Sequence, residues 1–237
     1  ADDLVYWDFN NLPNYKKTPY LPDFENIFPW IKMASSKDNW QDIGSHYLKD
    51  IDTKINTEFT QQELLTYVNE SSDIEEIAKN ITIHTQKSIS YQAIEFGDRA
   101  LIPNTSRQTL SNKYGDCKDH AVLLYDLLNA AGIKAQLALI NADKDIVPEL
   151  PNMAQFNHMI VYLPEINGGV FIDITDKDSA IDFNSTPIHL QGHTALVLES
   201  DQSKLIQVPK TSPENNPIKV TRVVEENNSQ IIYHEKS

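Results

Sequence analysis

The sequence predicts an α+β fold on three observations. Apolar residues in the first half recur at helical spacing, and those in the second half fall in short strand-like runs. The two regimes meet at one strongly apolar helix that begins near Cys117. Helices, a central helix, then antiparallel strands is the order of an α+β domain.

Residues 1–36 hold Pro13, Pro19, Pro22 and Pro29 among many aromatics, including Tyr6, Trp7, Phe9, Tyr20 and Trp30. Proline scattered among aromatics reads as an extended arm lying on a surface, not as an independent core. Helical signals start near Ser36, with Trp40, Ile43, Tyr47, Leu48 and Ile51 on one stripe. Thr60 with Glu63 three residues later is a capping-box signature. Leu64, Leu65 and Val68 would form the apolar face of that helix. A third helix is expected from about Ser72, with Ile74, Ile77, Ala78 and Ile81 facing inward. Gly97 and Pro103 punctuate residues 90–104, which read as an ordered loop, and a short helix is expected over Ser106–Asn112.

The segment from Tyr114 to His120 leads into Ala121, Leu124, Leu127 and Leu128 at helical period, and Gly132 stands at the C′ position of that helix. Strands are expected at Lys134–Ile140, His158–Leu163, Val170–Ile174, Ala195–Leu198, Leu205–Val208 and Lys219–Val224. A Pro- and Asp-containing loop, Asn141–Asn157, separates the first two.

Composition narrows the function. The chain has 237 residues, room for one large domain plus a small extension. Its formal charge is −14 with no Lys/Arg cluster, which excludes the basic face that nucleic acid needs. No run approaches the length of a membrane helix. The single cysteine excludes an internal disulfide and any zinc site with two cysteine ligands. No HExxH pair is present, so neither a metal site nor a cofactor is expected.

A lone cysteine is most simply a small buried hydrophobe. Cys117, however, sits in the first turn of a helix. A thiol attacks as thiolate, and the free pKa of about 8.5 leaves little of it at neutral pH. A helix N-terminus and an adjacent imidazole both favour the anion. Gly115 allows the sharp entry, although Asp116 and Asp119 bring negative charge close to the sulfur. Those two acids are read as serving the helix N-terminus.

Among the seven histidines, His158 opens an apolar strand and suits a relay. His120 is on the nucleophile's own helix and fits a solvated position. His46, His84, His189, His193 and His234 lack comparable context. Asp173 is a carboxylate inside an apolar strand and should have a partner. If the two strands are antiparallel neighbours joined by Asn167-Gly168-Gly169, His158 and Asp173 can meet across them. An edge-strand aspartate facing water, and a coincidence of core residues, are the competing readings of the same spacing.

Tyr114-Gly115-Asp116-Cys117-Lys118-Asp119-His120-Ala121, then Phe156-Asn157-His158-Met159 and Phe171-Ile172-Asp173-Ile174-Thr175, resemble in order the Cys, His and Asp blocks of the bacterial transglutaminase-like family, within the papain-like superfamily. His120 stands where many relatives carry Lys. The resemblance implies a papain/transglutaminase-like core over residues 37–185, with the nucleophile at the N-terminus of a central helix packed on an antiparallel sheet. It implies that residues 1–36 are the tail of an upstream β-domain. Residues 186–237 would be a linker and the start of a downstream one, so flanking domains of the same chain are expected partners.

In that comparison Cys117 is the nucleophile, His158 the base and then acid, Asp173 the orienting group, and Gln92 a candidate oxyanion donor beside the Cys117 N–H. The implied chemistry is acyl transfer at a peptide or amide bond of a protein or peptide substrate. Hydrolysis, as by a cysteine protease or amidase, is the expected outcome, with transamidation and a silent binding or scaffolding module as the alternatives. A periplasmic or extracellular location is the corresponding expectation.

Overall fold

A computed structural model describes residues 7–12, 14, 27–33, 38–68, 71–94, 96–212, 221–227 and 230–236. Among the described residues, five α-helices run up to and through the Cys117 segment: α1 Trp40–Asp50, α2 Gln61–Leu64, α3 Ile74–Ser88, α4 Ser106–Asn112 and α5 Cys117–Ala130. The short strands β1 Ser90–Tyr91 and β2 Tyr114–Gly115 pair in parallel. A five-stranded sheet follows, built from β3 Gln136–Ile140, β4 His158–Leu163, β5 Val170–Ile172, β6 Thr194–Val197 and β7 Lys204–Gln207, in the order β5-β4-β3-β6-β7. All its pairings are antiparallel. A separate hairpin pairs β8 Thr221–Asn227 with β9 Gln230–Lys236.

Local chemistry explains where the helices begin. Asn39, Thr60 and Thr105 each cap a helix and receive the reciprocal bond from the residue three positions on, Asp42, Glu63 and Gln108. Asp73 caps α3 through Glu75 N–H. At the far end of α5 the Gly132 N–H bonds Asn129 O and the Ile133 N–H bonds Leu128 O, the two bonds of a Schellman stop.

α5 is the centre of the molecule. It packs on β4 and β3 on one side and on α3 and α4 on the other. Val122, Leu123, Leu124, Leu127 and Leu128 are fully buried. Each such side chain contributes about 1.5–3 kcal/mol relative to exposure. The opposite face of the sheet is buried too: Ala138, Ile140, Ile160 and Phe171 pack with Leu190, Ala195, Val197 and Val208. β3 is therefore covered on both sides, and so Leu137–Ile140 is a continuous apolar run without alternation.

One polar group ties α4 and the loop at residues 56–57 to α5. Asp126 is buried and accepts from Ser106 Oγ at 2.6 Å, Asn56 N–H at 2.7 Å and Thr57 N–H at 3.1 Å. Burial pushes its carboxyl up despite these bonds. Asp126→Ala takes the acceptor from the Asn56 and Thr57 N–H groups and leaves Ser106 Oγ only the longer bond to Val122 O (3.4 Å), so unfolding free energy in a urea titration is expected to fall by about 2–4 kcal/mol.

Beyond residue 185, β6 and β7 join the same sheet as β3–β5, and apolar residues of 194–208 cover β3. The 90–104 segment also holds a two-residue strand and a 3-10 turn, Gly97–Ala100. Most of the 1–36 arm lies outside the described residues, as do residues 219–220 of the last expected strand. No described helix is long and apolar enough to cross a membrane.

Candidate active site

Cys117 is the first residue of α5 and is 4% exposed. The chain is delivered to it by β2, held on β1 through Ser90 N–H to Lys113 O (2.9 Å) and Gln92 N–H to Gly115 O (2.8 Å). Asp116 is the N-cap, accepting from the N–H groups of Lys118 and Asp119, while Asp119 accepts from Asp116 N–H. Gly115 is required by this arrangement: a Cβ there would stand 2.4 Å from Asp119 Cβ. Being first in the helix, the Cys117 N–H has no intrahelical acceptor and is a free donor beside the sulfur.

The two acids flanking Cys117 are neutralised. Lys118 Nζ meets Asp116 Oδ2 at 2.8 Å, both buried. Arg99 Nη2 meets Asp119 Oδ2 at 2.7 Å and lies 3.8 Å from Asp116. Two carboxylates face two cations, so the local negative charge that sequence reasoning set against a thiolate is cancelled.

The strands bring the remaining groups together. The β4–β5 register pairs Val161 with Ile172 and Tyr162 with Phe171. Continued one step, it sets Asp173 opposite Ile160, so His158 is the diagonal neighbour of Asp173 rather than its direct partner. The turn between them uses Gly169 at φ +112°, where a Cβ would strike the Tyr162 hydroxyl. Asp173 lies just past the end of β5 and does not face water, its side chain being 4% exposed.

His158 Nε2 donates to Asp173 Oδ2 at 2.8 Å. The other carboxylate oxygen, Oδ1, accepts from Thr175 N–H at 3.0 Å and Thr175 Oγ1 at 2.8 Å. A carboxylate only accepts, so Nε2 carries hydrogen and Nδ1 is the ring nitrogen left over, while Cys117 lines the same cavity as His158. Burial alone would depress His158. The bonds to Asp173 and Cys117 and their negative charges overcome it and hold the imidazole well above its usual range. Burial would raise Asp173, but hydrogen bonds from two histidines and from Thr175 hold it far below the usual carboxylate range.

A cavity of about 250 Å³ opens on this line of groups, walled by Tyr47, Leu101, Lys118, Leu139, Met153, Phe156 and Asn157 with Cys117 and His158. A neighbouring cavity of about 530 Å³ shares Tyr47, Ala100, Leu101 and Met153 with it. Tyr47 donates to Leu101 O at 2.8 Å, which fixes the wall between the two. Burial, followed by the charges of Cys117, Asp116 and Asp50, pushes its phenol up.

Gln92 is exposed and is not among the residues walling the 250 Å³ cavity. Its backbone is bonded to Gly115, two residues before the thiol. His120 is not solvated as expected: it is 1% exposed, its Nδ1 lies 2.8 Å from Asp116 O, and burial pushes it below the usual imidazole range. Sequence reasoning missed His189, whose Nε2 lies 3.1 Å from the Asp173 oxygen that His158 uses. It follows Pro187 in a short 3-10 turn, Ile188–Leu190, where no periodicity marks it. Lys118 and Arg99 were missed as well, because their role depends on partners that folding supplies.

The fold thus gathers a thiol at a helix head, an imidazole and a carboxylate beside one antiparallel sheet. The comparisons agree at the level of fold. Residues 62–162, under half of the chain, match the family described as the transglutaminase-like superfamily.

Among solved structures, one described as a "putative protease" from Parabacteroides distasonis is similar with a TM-score of 0.53 at 18% identity, over 71% of this chain and 31% of that one. This chain thus spans under a third of that protein. Another, described as a "putative cysteine protease" from Cytophaga hutchinsonii, matches with a TM-score of 0.38 at 18% identity, over 48% of this chain and 36% of that one. No curated protein matches the chain.

Proposed function

We propose that this domain catalyses thiol-dependent acyl transfer at a peptide or amide bond, with water as the acceptor, as a cysteine protease or amidase does. The observation that carries the reading is the placing of Cys117 and His158 in the wall of one cavity, with His158 Nε2 bonded behind to Asp173. His158 Nδ1 takes the thiol proton and the Cys117 sulfur attacks the carbonyl carbon. The developing oxyanion lies near the Cys117 N–H, with Gln92 as the proposed second donor. The imidazolium then gives its proton to the departing amine, leaving a thioester on Cys117. Water, deprotonated by His158, cleaves the thioester and restores the thiol. Asp173 keeps the imidazole in the tautomer and orientation both halves require.

Casein incubated with the protein, with and without a primary amine, distinguishes the outcomes by mass spectrometry. New peptide termini that appear in both incubations, and disappear with Cys117→Ala, are the expected result. Amine incorporated at glutamine without cleavage would overturn hydrolysis in favour of transamidation. No change of either kind, over a range of peptide substrates, would favour a binding module.

A further inference from the structure

We propose that His189 is a positioning residue of this site: it shares the Asp173 oxygen with His158, fixing the carboxylate and tempering its pull on the His158 imidazole. The inference rests on the proposed Cys117–His158–Asp173 reading and extends it.

Four donors hold the Asp173 carboxylate. Thr175 supplies two to Oδ1, in a turn local to the chain. Oδ2 receives one from His158 at 2.8 Å and one from His189 at 3.1 Å. His189 arrives from another part of the chain, so its contact is built by the fold. Leu190, fully buried against the far face of the sheet, pins the turn that carries it. Leu190 N–H bonds Pro187 O at 2.9 Å, and Gln191 Nε2 bonds Thr186 O at 2.8 Å and Thr211 Oγ1 at 2.9 Å. The backbone is therefore held on both sides of a histidine whose own side chain is 53% exposed.

An oxygen shared by two N–H donors stabilises each less than it would stabilise one alone. The catalytic imidazole thus feels a carboxylate whose charge is partly taken by its neighbour. Its proton has to leave again in each cycle, and a base works best near the operating pH. The other ionisable groups around this oxygen are Cys117 and His120 from α5, and Asp176 and Asp182 beside the 390 Å³ cavity that His189 lines. Neither of these aspartates is hydrogen-bonded to His189 among the described contacts: Asp176 bonds Ser179 and Asp178, and Asp182 bonds Ser185 and Asn184.

The test is the titration of the His158 ring resonances by NMR in the whole chain, compared between wild type, His189→Leu and His189→Gln. His189→Leu removes the donor at a half-exposed position, and the His158 midpoint is expected to rise by about one pH unit, the scale of one hydrogen bond. His189→Gln restores a neutral donor and should return most of the shift. An unchanged midpoint in a folded His189→Leu protein overturns the proposal, as does a shift that glutamine fails to reverse. A wild-type His158 midpoint in the ordinary imidazole range, indifferent to Cys117→Ala, would instead overturn the triad reading beneath it.

Discussion

His158→Ala is expected to lower peptide hydrolysis by about 10²–10⁴-fold, the range a positioned acid–base group contributes. It should also return Cys117 to the slow alkylation of a free thiol at mildly acidic pH. The imidazole walls the same cavity as the sulfur and is bonded to the buried Asp173. In the proposed reaction its loss removes the proton acceptor for attack and the donor for the leaving amine together. Steady-state kinetics on the cleaved peptide should place the loss mainly in kcat, because the other residues walling the cavity are untouched.

Asp173→Ala is the second large effect, and it reaches stability as well as activity. Removing one partner of a buried pair strands the other, at a cost of about 3–5 kcal/mol. The sign of the pH dependence follows from the two shifts. Asp173 is held below its usual range, so its contribution is present above the ordinary carboxylate value of about 3.9 and is lost as pH falls through its depressed one. His158 is held above its usual range, so its contribution is complete below about 6.5 and is lost as pH rises through its elevated value. The stability gap between wild type and Asp173→Ala should therefore be widest between about pH 4 and 6.5 and should close in both directions. Chemical denaturation across that range measures it. A gap independent of pH would mean that the pair is not ionic in the folded protein.

The fold was legible where local chemistry dominates. Thr60 with Glu63 announced α2, Ser106–Asn112 and His158–Leu163 were read to the residue, and Gly132 marked the end of α5. What could not be read was set by distant partners. Residues 194–207 form the two strands that finish the sheet, yet their short apolar runs carry no label of the sheet they join.

Cys117, His158 and Asp173 each stand in a context that marks them: a helix head, a strand start, a carboxylate among apolar residues. His189 has no such context, and its contact with Asp173 exists only because buried Leu190 pins the turn. The charge of Asp116 and Asp119 read as a liability for the same reason: Arg99, which meets Asp119, is some twenty positions upstream.

The rate of Cys117 alkylation by iodoacetamide as a function of pH tests the central claim most directly. Cys117 is the chain's one cysteine, so the signal has a single origin. A sulfur ionised against the His158 imidazolium should react at mildly acidic pH far faster than a free thiol, and that advantage should vanish in His158→Ala. A profile that rises only around the free-thiol value of about 8.5, identical with and without His158, would contradict the account.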